Sequence, residues 1–304
     1  MDIGNWSATP ILNELHCEIR EKGLEGNLAE LESYGFTVVE GAFDPETTMA
    51  LRDRIIEIAE DVNKRSFDLE NQKEGTTPDG SPSDVALIYY LLYKDPIFKQ
   101  AVVNDKSLPL ITYLLGEQCV LSSLTCHLKG PGGAGLALHS DNGFGLPEPF
   151  PPYAMVANCN YALTDYTEEG GCFAVVPGSH RLGRRPRGSE QVIIEEGRFE
   201  HVIPVEVPAG SAIIWHGNTW HGSYPRKIPG LRINLSTFYC RESLRPQEDY
   251  VGNAPEGFLD PEKEERLARL LGSELVYSWK DEGPVKLYQR FMTKGMPAMP
   301  TWYA

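Results

Sequence analysis

The sequence lacks the segments that direct a chain into or across a membrane. No stretch approaches the roughly 18 consecutive apolar residues that a membrane span requires. Residues Met1 to Pro10 have neither a basic start nor an apolar core, so no secretory signal peptide is visible. The last residues, Thr301 to Ala304, do not form a peroxisomal Ser-Lys-Leu signal. The sequence therefore predicts a cytoplasmic protein with no membrane partner.

Basic residues are scarce. The chain has 28 Lys and Arg against 43 Asp and Glu, a formal net charge of −15. Nucleic acids and anionic membranes require a broad basic surface, so this balance argues against both as partners. The only concentrated basic run is Arg181–Arg187. Such a run is usually a solvated loop, and the alternative is that it binds an anionic substrate group such as a carboxylate or a coenzyme A phosphate.

Cysteine pairs with metal-binding or redox spacing are also absent. The six cysteines are scattered without a C-x-x-C pair: Cys17, Cys119, Cys126, Cys159, Cys172 and Cys240. This spacing favours reduced, buried thiols over a disulfide framework or a zinc knuckle.

The chain has 304 residues, of which 41% are hydrophobic and 10% aromatic, enough for a sizeable core. We expect one domain with a helical N-terminal layer at about 1–118, a barrel core at about 119–240, and a C-terminal helix and tail at 241–304. Length alone does not distinguish a monomer from a homodimer.

The N-terminal layer begins with a short helix at 27–33 and a strand at 36–40. Asp44 followed by Pro45 predicts the start of an amphipathic helix over 45–63. Further apolar helical segments are expected at 84–93, 96–103 and 108–115. The polar segment 70–84 contains many turn-forming residues and is predicted to be a long loop, either solvated or a lid over a site.

From about residue 119 the pattern changes to short strands separated by glycine and proline turns. Strands are predicted at 120–128, 136–141, 155–163, 172–176, 202–207, 211–215 and 231–239. Many short strands bracketed by helices predict a mainly β fold with flanking helices, a barrel or two-sheet jelly roll. A charged helix is expected at 261–271. The proline-broken tail from 295 could cover the barrel mouth or form a dimer contact.

The predicted strand 136–141 contains a histidine and an aspartate two residues apart. Strand side chains alternate, so His139 and Asp141 should point the same way. With His221 from a distant strand, two imidazoles and a carboxylate would surround one face of a cation, the arrangement of non-heme Fe(II) oxygenases. A His-x-[Asp/Glu] pair is expected about once by chance in such a chain, so the pair needs this context. His216 is an alternative third ligand.

A second signal lies on the predicted strand 231–239. Leu231, Ile233 and Leu235 alternate with Arg232, and an arginine inside a barrel requires a buried anion. If the polar face of this strand points inward, Arg232 should therefore bind an anionic group.

These motifs resemble the phytanoyl-CoA dioxygenase family of Fe(II)/2-oxoglutarate-dependent oxygenases. The resemblance covers about residues 30–240. It is carried by four stretches: Tyr34–Val39, His139–Asp141, Gly171–His180, and Pro208–Trp215 continuing through His221–Ser223 to Arg232. It implies a double-stranded β-helix, also called a jelly-roll or cupin-like barrel. The eleven-residue step from His221 to Arg232 and the Pro-Gly-Ser-His block are its most specific parts.

Carried over to this sequence, the resemblance implies that His139, Asp141 and His221 bind iron and that they are the catalytic centre. Arg232 would pair with the far carboxylate of 2-oxoglutarate, with a hydroxyl contact from Ser223, and Asn160 would line the same pocket. The implied cofactors are Fe(II), 2-oxoglutarate and O2, and the implied reaction hydroxylates an unactivated C–H bond of a small, fairly apolar metabolite with release of succinate and CO2. Halogenating relatives replace the carboxylate ligand with a small residue, so Asp141 favours oxygen insertion.

Several alternatives stay open at this point. The same cofactors could support desaturation, cyclisation or epimerisation. A different class is a cupin-like metal-dependent hydrolase or isomerase, and a third is a non-catalytic binding protein on the same scaffold. The remaining histidines and two tryptophans are expected to be structural: His180 at the surface or supporting the site, His127 on a strand or lining the substrate side, and His16, His201, Trp215 and Trp220 without a role in catalysis.

Overall fold

The computed structural model describes residues 10–73, 86–132, 135–143, 146–193, 200–272, 279–280 and 283–284. The predicted lid at 70–84 falls mostly outside these residues, and the predicted tail from 295 falls entirely outside them. No helix in the described ranges has both the length and the apolar character needed to cross a membrane.

Helices flank the sheets and come mainly from the N-terminal part of the chain. They are α1 (Pro10–Glu21), α2 (Glu25–Tyr34), α3 (Pro45–Asn63), α4 (Lys99–Val102), α5 (Leu108–Leu115) and α6 (Glu265–Leu270). Short 3-10 turns lie at Leu91–Tyr93, Pro96–Phe98, Asp141–Gly143, Ser179–Leu182 and Gly188–Gln191. α3 begins as its sequence predicts, because the Asp44 side chain accepts a hydrogen bond from the Thr47 amide and Pro45 occupies the first turn.

The strands are short and all of their pairings are antiparallel. They are β1 (Phe36–Val39), β2 (Ala86–Ile88), β3 (Val120–Lys129), β4 (Leu136–His139), β5 (Val156–Ala162), β6 (Phe173–Val175), β7 (Ile203–Val205), β8 (Ala212–His216), β9 (His221–Ser223), β10 (Arg232–Cys240), β11 (Trp279–Lys280) and β12 (Gly283–Pro284).

Two sheets form the barrel. The larger, the major sheet, has the order β1-β8-β5-β10-β3-β2, and the smaller, the minor sheet, has the order β4-β9-β6-β7. β11 and β12 form a separate hairpin. The mainly β, jelly-roll fold with flanking helices is therefore confirmed. β1 and β2 join opposite edges of the major sheet although both come from the predicted helical layer.

The major sheet has an apolar cluster on each side. One face packs against the helices, with Leu51 of α3 and Ile111 of α5 in the same cluster as Leu128 and Leu235. The other cluster lies between the two sheets and includes Trp215 of the major sheet with Phe173 and Val175 of the minor sheet. Burial on both faces makes the central strands apolar or uncharged at most positions, and the polar exceptions define the site.

Three expectations about elements need correction. The segment 84–93 is not a helix: it contains β2 and a 3-10 turn, because Ala86 to Ile88 pair with β3 as an edge strand. The predicted strand 136–141 ends at His139, and Asp141 begins a 3-10 turn. The charged C-terminal helix is shorter than 261–271, and α1 was not predicted at all. Short apolar runs of this kind fit helices and strands equally well.

Gly35 ends α2 and packs tightly against the chain segments beside the site. Its φ is +80°, and a Cβ atom there would lie 2.4 Å from His180 Nδ1 and 2.6 Å from Thr219 Oγ1. Its amide and carbonyl are both used, the amide by Leu31 and the carbonyl by His216. This turn therefore requires glycine for its backbone angle and for space.

We expect Gly35→Ala to destabilise the protein much more than Gly23→Ala. Gly23 also has a positive φ, +67°, but nothing lies within 4 Å of a Cβ there. Left-handed strain costs about 1–2 kcal/mol at both positions, and overpacking adds about 1–3 kcal/mol at Gly35 alone. Urea unfolding of both variants measures the difference. Equal decreases in the free energy of unfolding for the two variants would show that the neighbours His180 and Thr219 move aside without measurable overpacking.

Candidate active site

The structure brings the three predicted metal ligands together. His139 ends β4 and His221 begins β9, and the two are paired in register across the minor sheet with ring centroids 4.3 Å apart. Asp141 Oδ1 lies 3.9 Å from His139 Nε2 and 3.6 Å from His221 Nε2. One ligand atom from each residue lies within 4.8 Å of the others. The three side chains can therefore share one cation.

Both imidazoles are oriented by backbone carbonyls. Nδ1 of His139 lies 3.0 Å from Ala137 O, and Nδ1 of His221 lies 2.9 Å from Thr219 O. A carbonyl accepts only from a protonated nitrogen, so each ring carries its hydrogen on Nδ1 and presents the Nε2 lone pair to the other ligands. Hydrogen bonds of this kind fix the tautomer that a metal needs.

Asp141 is held by two donors on one of its oxygens. Oδ2 accepts from Asn158 Nδ2 at 2.9 Å and from Trp215 Nε1 at 2.8 Å. The backbone amide of Asp141 donates to Gly217 O at 2.9 Å, which anchors the turn after β4. The carboxylate is thus rotated so that Oδ1 faces the two histidines although Asp141 is not in the strand.

The donor set suits a divalent transition metal. Burial lowers the pKa of His221 to about 4, although the nearby Asp141 carboxylate raises it, so the ring is neutral at pH 7 and able to bind a metal. Two neutral imidazoles and one carboxylate are the ligands of the facial triad, which leaves the opposite face of the ion open. His139 has a side chain 39% exposed, whereas His221 is 6% exposed. The open side of the site is therefore on the His139 side.

Arg232 lies at the other end of the barrel interior. It is buried, its Nη1 donates to Gly171 O at 3.1 Å, and its guanidinium lies over the Tyr166 ring. Its Nε is buried without a hydrogen-bond partner, and no carboxylate within the described ranges forms an ion pair with it. A buried guanidinium in this state is suited to an anionic ligand.

Lys129 adds a second buried cation beside Arg232. The two residues are paired in register on β3 and β10, and Lys129 Nζ donates to Ser223 Oγ at 2.8 Å and to Tyr224 O at 3.0 Å. Ser223 also accepts weakly from the Leu136 amide at 3.3 Å. Both interactions use lone pairs of the hydroxyl, so its O–H can still be donated. The three residues Lys129, Ser223 and Arg232 thus form one polar cluster. It adjoins the triad because Ser223 lies two residues after His221 on β9.

Asn160 lies on β5 on the side of the barrel interior. It is buried, and its Oδ1 accepts a long hydrogen bond from Tyr166 at 3.4 Å. Tyr166 also lies under the Arg232 guanidinium. Tyr166 therefore contacts both Asn160 and Arg232, which places Asn160 near the Arg232 guanidinium. A contact between Asn160 and 2-oxoglutarate stays a prediction.

The alternative ligand His216 lies apart from the triad. Its ring packs against His180 with centroids 5.5 Å apart, and its Nδ1 accepts from the Asn218 amide at 3.0 Å. Both histidines are buried, so the expected surface position of His180 is wrong. Burial lowers the pKa of both rings, that of His216 to about 4.

The other three histidines lie outside the triad. His127 is half-buried on β3, His16 lies near Tyr113, and His201 is exposed.

The arginines of the basic run are paired within the protein. Arg184 forms an ion pair with Glu190 at 2.7 Å, and the hydrogen bond from Arg184 lowers the Glu190 pKa to about 2. Arg185 and Arg187 both pair with Glu148, and Arg181 donates to Glu32 O. These contacts favour the structural role of the run over binding of an anionic substrate.

Three residues of the site were missed from the sequence. The first, Asn158, alternates with the predicted Asn160 on a strand that is buried at every residue, and this pattern is a usable sign of an interior polar face. Trp215 was assigned to packing, although a buried indole N–H generally requires an acceptor. For Lys129 the only sign is a lysine at the end of a strand that otherwise has no lysine, arginine, aspartate or glutamate. The sequence does not indicate which residue accepts the hydrogen bond from the Trp215 indole.

The family model for phytanoyl-CoA dioxygenase (PhyH) matches residues 31–233. The chain belongs to the phytanoyl-CoA dioxygenase family. This confirms the predicted enzyme class, an Fe(II)/2-oxoglutarate-dependent oxygenase, and its expected cofactor and co-substrates. The match contains all three triad residues and Arg232.

Two relatives of the chain are named as dioxygenases. It is 28% identical over 194 residues to Dioxygenase af480 of Aspergillus fumigatus, which covers 62% of this chain and 60% of that protein. It is 25% identical over 253 residues to the ectoine dioxygenase of Bordetella bronchiseptica, which covers 75% of this chain and 80% of that protein. The chain therefore spans three fifths of the Aspergillus relative.

Solved structures share the fold at low sequence identity. HygX from Streptomyces hygroscopicus, with nickel and 2-oxoglutarate bound, superposes with a TM-score of 0.57 at 17% identity over 77% of this chain and 95% of HygX. The non-heme α-ketoglutarate-dependent epimerase SnoN from nogalamycin biosynthesis gives a TM-score of 0.54 at 21% identity over 79% of this chain and 90% of SnoN. At these identities the likeness supports the jelly-roll fold.

We expect Trp215→Phe to weaken metal binding by about 10- to 100-fold, because it removes one of the two donors that hold Asp141 while keeping an aromatic ring. Isothermal titration of the metal-free protein with Co²⁺ measures the affinity. Trp220→Phe is the matched control, since that indole donates to Arg184 O at 2.8 Å instead of to a ligand. Equal Co²⁺ affinities in the two variants would show that the Trp215 hydrogen bond does not position Asp141.

Acid should destabilise the metal-free protein through its buried histidines. His216 and His221 have folded-state pKa values of about 4, below the usual 6.5, so between these values the unfolded chain binds more protons. Stability is then full above pH 6.5 and falls on acidification, by up to about 1.4 kcal/mol per pH unit for each histidine. Denaturant unfolding between pH 7 and 4.5 should show a shallower decline for His216→Gln than for His201→Gln. The two variants would decline alike if His216 titrated normally.

Proposed function

We propose that this protein is an Fe(II)/2-oxoglutarate-dependent dioxygenase that hydroxylates an unactivated C–H bond of a small molecule and releases succinate and CO2. The observation that carries the proposal is the buried Arg232, which lacks a carboxylate partner among the described residues and lies in the same barrel interior as the His139, Asp141 and His221 triad.

The residues would divide the work between the two ends of the interior. His139, Asp141 and His221 would hold Fe(II) on one face. Arg232 and Lys129 would neutralise the far carboxylate of 2-oxoglutarate, and the Ser223 hydroxyl would donate to it. Bound iron supplies oxidative decarboxylation of 2-oxoglutarate coupled to C–H oxidation. Trp215, Phe173 and His221, which pack ring against ring, keep the minor-sheet side of the triad dry.

Similar proteins support the use of a metal and 2-oxoglutarate, but they leave the outcome of the oxidation open. HygX binds nickel and 2-oxoglutarate, and SnoN is named an α-ketoglutarate-dependent epimerase. Asp141 favours hydroxylation over halogenation, while desaturation, cyclisation and epimerisation use the same ligands. A cupin-like hydrolase or isomerase would need no dicarboxylate anchor, so the Arg232 and Lys129 pair weighs against it. The cytoplasmic location, the single domain and the monomeric or homodimeric state stay predictions.

The reaction can be tested without knowing the substrate. Purified protein with Fe(II), ascorbate, O2 and 2-oxoglutarate should release succinate slowly through turnover uncoupled from substrate oxidation. Asp141→Ala should strongly reduce this release, because removing the carboxylate leaves two protein ligands and weakens metal binding. Succinate release that is unchanged in Asp141→Ala would contradict the proposed metal site.

Arg232→Gln should weaken 2-oxoglutarate binding at least about 30-fold while Co²⁺ affinity stays within about twofold, because the loss of a buried charge pair costs about 2 kcal/mol or more. Titration of the Co²⁺-loaded protein with 2-oxoglutarate measures this. Arg187→Gln, at an exposed arginine paired with Glu148, is the matched control. Loss of Co²⁺ with unchanged 2-oxoglutarate affinity would refute the assignment of Arg232.

A further inference from the structure

The interior face of the major sheet carries a strip of polar residues, which is charged at the Lys129 and Arg232 end and uncharged at the Thr125 and Ser236 end. On β3, Leu124, Cys126 and Leu128 pack against the helices, so the alternate residues face the barrel interior. On β10, Ile233 and Leu235 do the same. The interior positions of the two strands are paired in register: Lys129 with Arg232, His127 with Asn234, and Thr125 with Ser236.

Depth separates the two ends of this strip. The Arg232 guanidinium is directed towards Gly171 O and Tyr166. This is the closed end of the interior, where Lys129 and Arg232 are both buried. Ser236 lies four residues further along β10, about 13 Å at the usual rise of a strand. A five-carbon dicarboxylate held at Arg232 does not extend that far along β10. Thr125 and Ser236 are therefore available to another molecule.

The Thr125–Ser236 pair is close to the triad and partly exposed. Ser236 Oγ is 3.4 Å from Asn158 Oδ1, and Asn158 donates at 2.9 Å to the Asp141 carboxylate. The Ser236 contact is longer than the usual O–H···O range of about 2.5–3.0 Å, so a better acceptor can replace it. Both hydroxyl residues are half-buried, whereas Lys129, Arg232 and Asn234 are buried. Thr125 makes no side-chain hydrogen bond within the described part of the chain.

We propose that Thr125 and Ser236 determine substrate specificity by hydrogen bonding a neutral hydroxyl or carbonyl group of the substrate beside the metal triad. This inference rests on the function proposed above. Neither residue is charged, so the pair offers hydrogen bonds but no counter-ion to a charged substrate group. A purely apolar substrate would leave both hydroxyls unpaired, which a site built for hydrogen bonding rejects.

The outer end of the interior face suits the carbon skeleton of such a substrate. Val120, Val156 and Cys240 form a small apolar cluster there, and the half-buried Phe238 packs against it. Phe238 is the next interior residue after Ser236 on β10. The expected ligand is thus amphipathic, with a neutral polar group at Thr125 and Ser236 and carbon surface against Phe238. This revises the expectation of a fairly apolar substrate.

Three probes on one six-membered ring test the chemistry: trans-1,2-cyclohexanediol, cyclohexanecarboxylate and cyclohexylammonium. Each is added to the protein loaded with Zn²⁺ and 2-oxoglutarate, and binding is measured by ligand-observed NMR. We expect the diol to bind in preference to the two charged probes. Thr125→Val, which keeps the shape of the side chain, and Ser236→Ala should each weaken diol binding about three- to tenfold, the worth of one neutral hydrogen bond.

Thr125→Ser should restore binding, and Ser243→Ala, at an exposed position after β10, should leave it unchanged. Affinity for 2-oxoglutarate should stay within about twofold in every variant, which separates this inference from the proposed function. Failure of the unaltered protein to bind 2-oxoglutarate would instead count against the proposed function. Preferred binding of a charged probe, no binding of the diol, or diol binding that is indifferent to Thr125→Val and Ser236→Ala would each overturn the inference.

Discussion

The two hydrogen bonds to Asp141 Oδ2 are the constraint on which the site depends. Asp141 lies outside the strand that carries His139, in a turn whose side chain could point elsewhere. Asn158 and Trp215, from two strands of the major sheet, fix that carboxylate so that its other oxygen faces His139 and His221 on the minor sheet. The proposed metal centre therefore draws on both sheets, and the packing of one sheet on the other positions the three side chains.

The two ends of the barrel interior differ in charge for a physical reason. At one end Lys129 and Arg232 are buried and held by backbone carbonyls and by Ser223, an arrangement that suits an anionic ligand. At the other end, where Thr125 and Ser236 are half-buried, the same two strands present uncharged hydroxyl residues. The acidic residues that give the chain its net charge of −15 lie outside this strip. One pair of strands thus provides the proposed anion site and a neutral polar surface within a few residues.

Much of this arrangement could be predicted from local pattern. The Asp44-Pro45 start of α3 and the alternation on β10 follow from rules that act within one element, and the roles of His139, Asp141, His221 and Arg232 follow from motif spacing shared with the family. Failures occurred where a distant partner decides the outcome. Residues 86–88 became an edge strand because β3 was available to pair with them, and His180 was buried because α2 ends against it at Gly35.

The sequence by itself determined the residue types for the chemistry, the family, and the strand parity that turns Arg232 inward, because alternation and motif spacing are local properties of a chain. Only the tertiary structure decided that Trp215 and Asn158 hold Asp141, that Lys129 lies beside Arg232, and that Thr125 faces Ser236. Each of these contacts joins residues from different strands, and their register is fixed by the packing of both sheets around a shared core.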